Sequence, residues 1–143
     1  MDWFDIAKKL LPSRCREVPL ATDPSRILLR QCALWKKRVY LQQFMCSEEQ
    51  GWFHSHPWRR GTIAIGLRGE LYETRLGGPV QGFRWKAPYF RIMGPNFYHR
   101  SFLPRNHLSI FIGLGEKTDD KFYVPVKARV RWSDRIKKVV ARL

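Results

Sequence analysis

Apolar positions along the chain change period near residue 35. Phe4, Ile6, Ala7, Leu10 and Leu11 recur at helical spacing and Pro12 ends the run, which predicts a short helix over 3–11. Residues 13–25 contain Ser13, Pro19, Pro24 and Ser25 and read as irregular, completing a helical N-terminal arm over 1–25. From Trp35 the period is two: Val39, Leu41, Gln43 and Met45 alternate with Arg38, Tyr40, Gln42 and Phe44, as in a strand with one buried face. Ser47-Glu48-Glu49-Gln50-Gly51 is a polar turn. Short strand-like runs then follow at 52–56, 62–67, 70–75, 83–86, 89–93, 97–102, 108–114 and 122–126. Gly69, Gly77-Gly78-Pro79, Gly94-Pro95-Asn96, Pro104-Arg105-Asn106 and Thr118-Asp119-Asp120 separate them. Many short strands with regular turns predict an all-β sandwich or barrel. Ser133 could cap a last helix, 133–143, with Ile136, Val139, Val140 and Leu143 on one face.

The 143 residues suit one domain, with its barrel core over about 35–126. A hydrophobic fraction of 44% excludes a disordered tail, and no apolar run approaches the ~18 residues of a membrane span. The N-terminus has neither a basic leader nor a long apolar stretch, so a cytoplasmic location is expected. Cys15, Cys32 and Cys46, an odd set without paired spacing, read as free thiols. Lys and Arg number 27 against 12 acidic residues, a net charge of +15, which favours anionic partners: nucleic acid, a phosphorylated metabolite, an acidic protein or an anionic lipid face. A homodimer is compatible with all of this.

The histidines carry the candidate chemistry. His54 and His56, two apart in one strand-like run, point to the same face, where two imidazoles can reach one ion at ~2.0–2.1 Å. His99 lies in another strand that a barrel can bring beside the first. Three neutral imidazoles suit iron, zinc, manganese or nickel, and geometry selects among them. The competing reading is separate surface histidines. His107 would point opposite to Leu108, Ile110 and Ile112 and is taken as a surface histidine.

Tyr40-Leu41-Gln42-Gln43-Phe44-Met45, an acidic turn and then Phe53-His54-Ser55-His56-Pro57-Trp58 resemble the opening of a group of small bacterial and phage cupins with a His-x-His-Pro-Trp signature. The resemblance continues through Leu67-Arg68-Gly69-Glu70-Leu71-Tyr72-Glu73, the segment from Gly94 to His99, and Leu108-Ser109-Ile110-Phe111-Ile112-Gly113, over roughly residues 38–126. It implies a cupin-type antiparallel barrel (a double-stranded β-helix, or jelly roll) with short terminal helices, holding one transition-metal ion on His54, His56 and His99. The family's usual glutamate after the second histidine is missing, because Arg59-Arg60-Gly61-Thr62 stands there. Either three histidines form the site or another acid replaces it, and Glu73 is the better candidate. Glu73 could equally be a strand carboxylate paired with Arg75 or Arg91. The stretch from Gly51 to Pro57 also resembles the zinc motif of JAMM-type metallopeptidases, but Ile65 and Arg68 occupy the places of that motif's serine and aspartate.

Arg59 and Arg60 follow the histidine motif at the expected barrel mouth, and with Arg91 and Trp58 they are the candidate substrate contacts. Arg84, Lys86, Arg91 and Arg100 interleave with Trp85, Tyr89, Phe90 and Tyr98, an arrangement that suits phosphate contact with base stacking, or simply basic stems over apolar surface. No named nucleic-acid motif is present. The expected function is a metal-dependent, oxygenase-like enzyme acting on an anionic substrate. The alternatives are a non-catalytic protein that binds nucleic acid or an acidic partner, and a sugar or sugar-phosphate isomerase.

Overall fold

A computed structural model describes residues 1–20, 23–48, 52–54, 56, 58–76, 82–95, 97–117 and 123–125. Its elements are α1 (Trp3–Leu10), β1 (Cys15–Leu20), β2 (Asp23–Trp35), β3 (Val39–Phe44), β4 (Trp52–His54), β5 (Thr62–Arg75), β6 (Phe83–Lys86), β7 (Tyr89–Met93), β8 (His99–Gly113) and β9 (Tyr123–Pro125). The expected C-terminal helix lies outside the described residues. Among the described residues no helix is long and apolar enough to cross a membrane.

All named strand pairs are antiparallel and belong to one branched nine-stranded sheet. Its spine is the pair β5–β8, in register from Thr62↔Gly113 to Arg75↔His99. The first half of β5 also pairs with β7, and its second half with β6. The far side of β8 takes β3 at one end and β4 at the other, and β2, β1 and β9 extend these edges. The all-β expectation holds at this level. No pairing that closes the sheet into a barrel occurs among the described residues.

Runs that read as separate strands are halves of long bent ones. Residues 62–67 and 70–75 are both β5, and β8 spans the Pro104-Arg105-Asn106 segment without ending. The supposed turns are bulges: the register shifts between Gly66 and Tyr72, and Gly69, Leu103 and Asn106 adopt φ of 71°, 47° and 49°. Gly69 is obligatory there, since a Cβ would meet the Asn106 carbonyl oxygen at 2.2 Å. Local signals do not distinguish a bulge from a turn, because both call for glycine or asparagine.

The stretch 13–25, expected to be irregular, holds β1 and the start of β2. After α1, capped by Asp2, whose side chain accepts from the Asp5 N–H at 3.0 Å, the chain enters β1 directly. The β1–β2 register sets Cys15 opposite Cys32, and the two form a disulfide, with Cys46 free. The free-thiol reading fails for this pair because a 17-residue separation says nothing until the strands align. Phe4, buried to 1% exposure, packs on this disulfide with Trp3, Ala7 and Leu11 around it, so α1 is fastened to the sheet by apolar burial worth about 1.5–3 kcal/mol for Phe4 alone.

Candidate functional site

The inner face of the sheet is polar. Along β8 the buried positions are His99, Ser101, His107, Ser109, Phe111 and Gly113, while Leu108, Ile110 and Ile112 face outward. On β5 the inward set includes Thr62, Ala64, Leu71 and Glu73, and on β7 Arg91 and Met93. Of these, His99, Ser101, Phe111, Ala64, Leu71, Glu73, Arg91 and Met93, with Gln31, Tyr40 and Gln42, line a cavity of about 210 Å³. A concave cavity where a few polar groups converge among apolar walls is the usual form of a ligand site.

At its centre Glu73 is fully buried. One carboxylate oxygen accepts from His99 Nδ1 at 2.8 Å and also pairs with Arg91, and the other accepts from Arg75 Nε at 2.9 Å. Burial alone would raise this carboxyl. The His99 hydrogen bond and the charges of Arg91 and Arg75 outweigh it and hold Glu73 at about 2. Aromatic rings fix both arginines: Arg75 lies 4.1 Å from the Phe83 ring centre, and Arg91 4.4 Å from that of Trp85.

Burial pushes His99 down from its ordinary value, against the pull of Glu73. Neutral His99 then donates Nδ1–H to Glu73, which leaves the Nε2 lone pair facing the cavity. That nitrogen lies 2.8 Å from Nε2 of His56, whose ring packs 4.7 Å from that of Phe111. His56 follows the end of β4 rather than sharing a strand with His54. The β4–β8 register sets the backbone of His54 directly opposite His99.

Two imidazole nitrogens that share one ion at ~2.0–2.1 Å each are roughly 3 Å apart, so His56 and His99 fit a common metal with little movement. Among the described residues no three His, Cys, Asp or Glu side chains form a complete metal cage. Glu73, expected as a possible fourth donor, reaches His99 by the nitrogen remote from His56 and has both oxygens engaged.

The remaining candidates named from the sequence separate in space. Arg91 and Trp58 line the cavity, but Arg91 is bound to Glu73, and Trp58 is a core residue against Gly113, Met93 and Phe111. Arg59 and Arg60 are exposed and absent from the cavity wall, and Arg59 pairs instead with Glu116 at 3.0 Å. His107 is not a surface residue: it is 1% exposed, its Nε2 lies 2.8 Å from the Tyr89 hydroxyl, and burial pushes it down to about 4. The direction assigned to its side chain is right; the face taken as the core is wrong, because the aliphatic side of β8 points outward.

Arg16 and Glu48 escape a reading of the sequence as cavity residues, and Tyr89 is named there only among the aromatics interleaved with basic residues. Arg16 comes from the supposedly irregular stretch 13–25, its guanidinium on the neutral Gln31 side chain at 3.0 Å. Tyr89 sits over Gly66, where a Cβ would meet its ring at 2.2 Å, and burial raises its hydroxyl to about 12. Glu48 accepts from the Ser101 N–H at 2.5 Å, and burial raises its carboxyl to about 8. The available signal was the alternation of Ser, His and Gln with aliphatic residues in β3 and β8.

Comparison with protein-family models, with curated proteins and with solved structures returns no match.

Proposed function

We propose that the chain is a cupin-like metal protein whose centre is built on His56 and His99, with His54 as the third donor. The observation that carries this is the Glu73–His99–His56 line in a largely buried polar cavity: a carboxylate on Nδ1 turns the Nε2 lone pair of His99 toward a second imidazole. In this reading Glu73 orients and polarises His99 rather than binding the ion. A transition metal held by neutral imidazoles with open positions supplies Lewis-acid or oxygen chemistry when bound. The chain's own residues hold the substrate. Arg16 enters the cavity with only neutral Gln31 as its hydrogen-bond partner among the described residues, so it supplies a positive charge for a small anionic substrate. We favour an oxygenase-like enzyme over the isomerase on the all-imidazole donor set.

A second reading rests on the 2.8 Å Nε2–Nε2 distance, which is also that of a hydrogen bond. Glu73, His99 and His56 would then form a metal-free proton relay. Metal analysis of the purified protein separates the two. The first reading expects close to one transition-metal ion per chain and its loss in both His56→Ala and His99→Ala. A parent that stays metal-free after incubation with each candidate ion refutes it.

A further inference from the structure

Strand register lays a row of polar side chains along one wall of the cavity. Arg16 in β1 stands opposite Gln31 in β2, and Gln31 opposite Gln42 in β3. Residues directly opposite on neighbouring strands share a face, and strands lie ~4.8 Å apart, so these three backbone positions fall within roughly 10 Å. All three side chains line the cavity. Arg16 is at the exposed rim, whereas Gln31 and Gln42 are 9% and 8% exposed. The row is open to a ligand at two points. Gln31 Oε1 accepts from Nε and Nη2 of Arg16 at 3.1 and 3.0 Å, which fixes the guanidinium by one edge and leaves Nη1 without a partner among the described residues. The Gln42 amide also has no hydrogen-bond partner among the described residues, although a polar group buried this deeply is normally paired.

We propose that the substrate is a hydroxylated carboxylic acid, with its carboxylate on the open edge of Arg16 and a hydroxyl further along the molecule on the Gln42 amide. The proposal rests on the function proposed above in taking the occupant of this cavity to be its substrate. Charge selects the acid. Gln31 and Gln42 are neutral, so the row has one positive charge, which matches one carboxylate; a phosphate monoester, at about −1.5 to −2, would be left partly uncompensated. The amide selects the hydroxyl. A primary amide both donates and accepts, as does a hydroxyl, so each satisfies the other, whereas a hydrocarbon placed there leaves a buried amide unpaired. The walls beside the row suit the carbon chain. Leu29 and Phe44 flank it on one side, and on the other the rings of Tyr40 and Phe111, the Tyr40 hydroxyl being turned away to the Lys37 carbonyl. Phe111 continues this wall to His56, 4.7 Å away between ring centres, so the row leads to the imidazole pair.

The test is isothermal titration of the purified protein with four ligands of one chain length. D-gluconate has the carboxylate and a hydroxyl on every other carbon, sorbitol lacks the charge, hexanoate lacks the hydroxyls, and sorbitol 6-phosphate has a phosphate in place of the carboxylate. Gluconate should bind at least tenfold tighter than each of the other three. Arg16→Met should bring gluconate down to the affinity of sorbitol, and Gln42→Leu to that of hexanoate. Arg59→Met removes the same charge outside the cavity wall and should leave all four affinities unchanged. The comparison of ligands on the parent stands by itself should Gln42→Leu lose the parent circular-dichroism spectrum. A parent that binds gluconate no better than any one of the other three, or binds none of the four, overturns the proposal, as does a folded Arg16→Met variant that keeps the parent preference. Metal content measured on the same samples separates the two readings: a metal-free parent that ranks gluconate first supports this proposal and overturns only the metal centre, and a metal-loaded parent that does not rank it first overturns only this one.

Discussion

Glu73 meets His99 at Nδ1, 2.8 Å away, and not at the nitrogen that faces His56. This arrangement makes the carboxylate the group that sets the tautomer of His99, and several expectations follow from its place behind the ring.

Replacing Glu73 by Gln should weaken metal retention about 10–100-fold, the usual effect of removing a carboxylate that orients a metal-bound histidine. His99→Ala should abolish retention. The Glu73→Gln variant should also melt lower, because buried Arg91 loses its counter-charge. Metal titration of the folded E73Q protein checks this; complete loss equal to that of His99→Ala would make Glu73 a ligand itself.

The buried His107 should make the fold acid-sensitive in a defined window. Its folded value of about 4 lies below the ordinary 6.5, so between these values the unfolded chain binds more protons. Stability therefore rises with pH across that window and falls as pH drops through it, by at most about 3 kcal/mol from this group. Urea midpoints at several pH values, for the parent and His107→Gln, measure it. The variant should lose that part of the slope, and an unchanged slope would leave the burial of His107 without consequence. Glu73 adds its own loss lower, between its ordinary 4.5 and about 2.

Alkylation of the unreduced, denatured chain should modify one cysteine, Cys46, since Cys15 and Cys32 are paired. Cys15→Ala with Cys32→Ala should cost about 3 kcal/mol for a loop of this length and leave metal content unaltered. Three reactive thiols in the parent would remove the cross-link from the N-terminal hairpin.

Gly113→Ala should destabilise the chain by about 1–3 kcal/mol, because the added Cβ would sit 2.0 Å from the Trp58 ring inside the core cluster. Arg59→Ala, which breaks an exposed pair, should change stability by less than about 1 kcal/mol. Thermal melts compare the two; a large effect of Arg59→Ala would give this arginine a role that its exposure does not suggest.

The sequence by itself determined the classes of element and the residues with chemistry. Period-two runs broken by glycine and proline specify strands, and the spacing of Phe4, Ala7 and Leu11 specifies α1, because these signals are local and act through backbone preference. His56, His99 and Glu73 stood out by residue type and place. Only the tertiary structure decided which side of the sheet is inside. In β8, aliphatic residues alternate with His107, Ser109 and Phe111, and the usual rule sends the aliphatic side inward. Here the chain bends β5 and β8 around the polar side, so His107 is buried and Ile110 and Ile112 line the outer face. The physical reason is that burial depends on what a face packs against, and that is set by bulges at Gly69, Leu103 and Asn106 and by pairings across long separations. The Cys15–Cys32 bond, the approach of Glu73 to His99 across 26 residues and the contact of His56 with His99 across 43 are of the same kind. Each needs strand register before two side chains can meet, and register is a property of the assembled sheet.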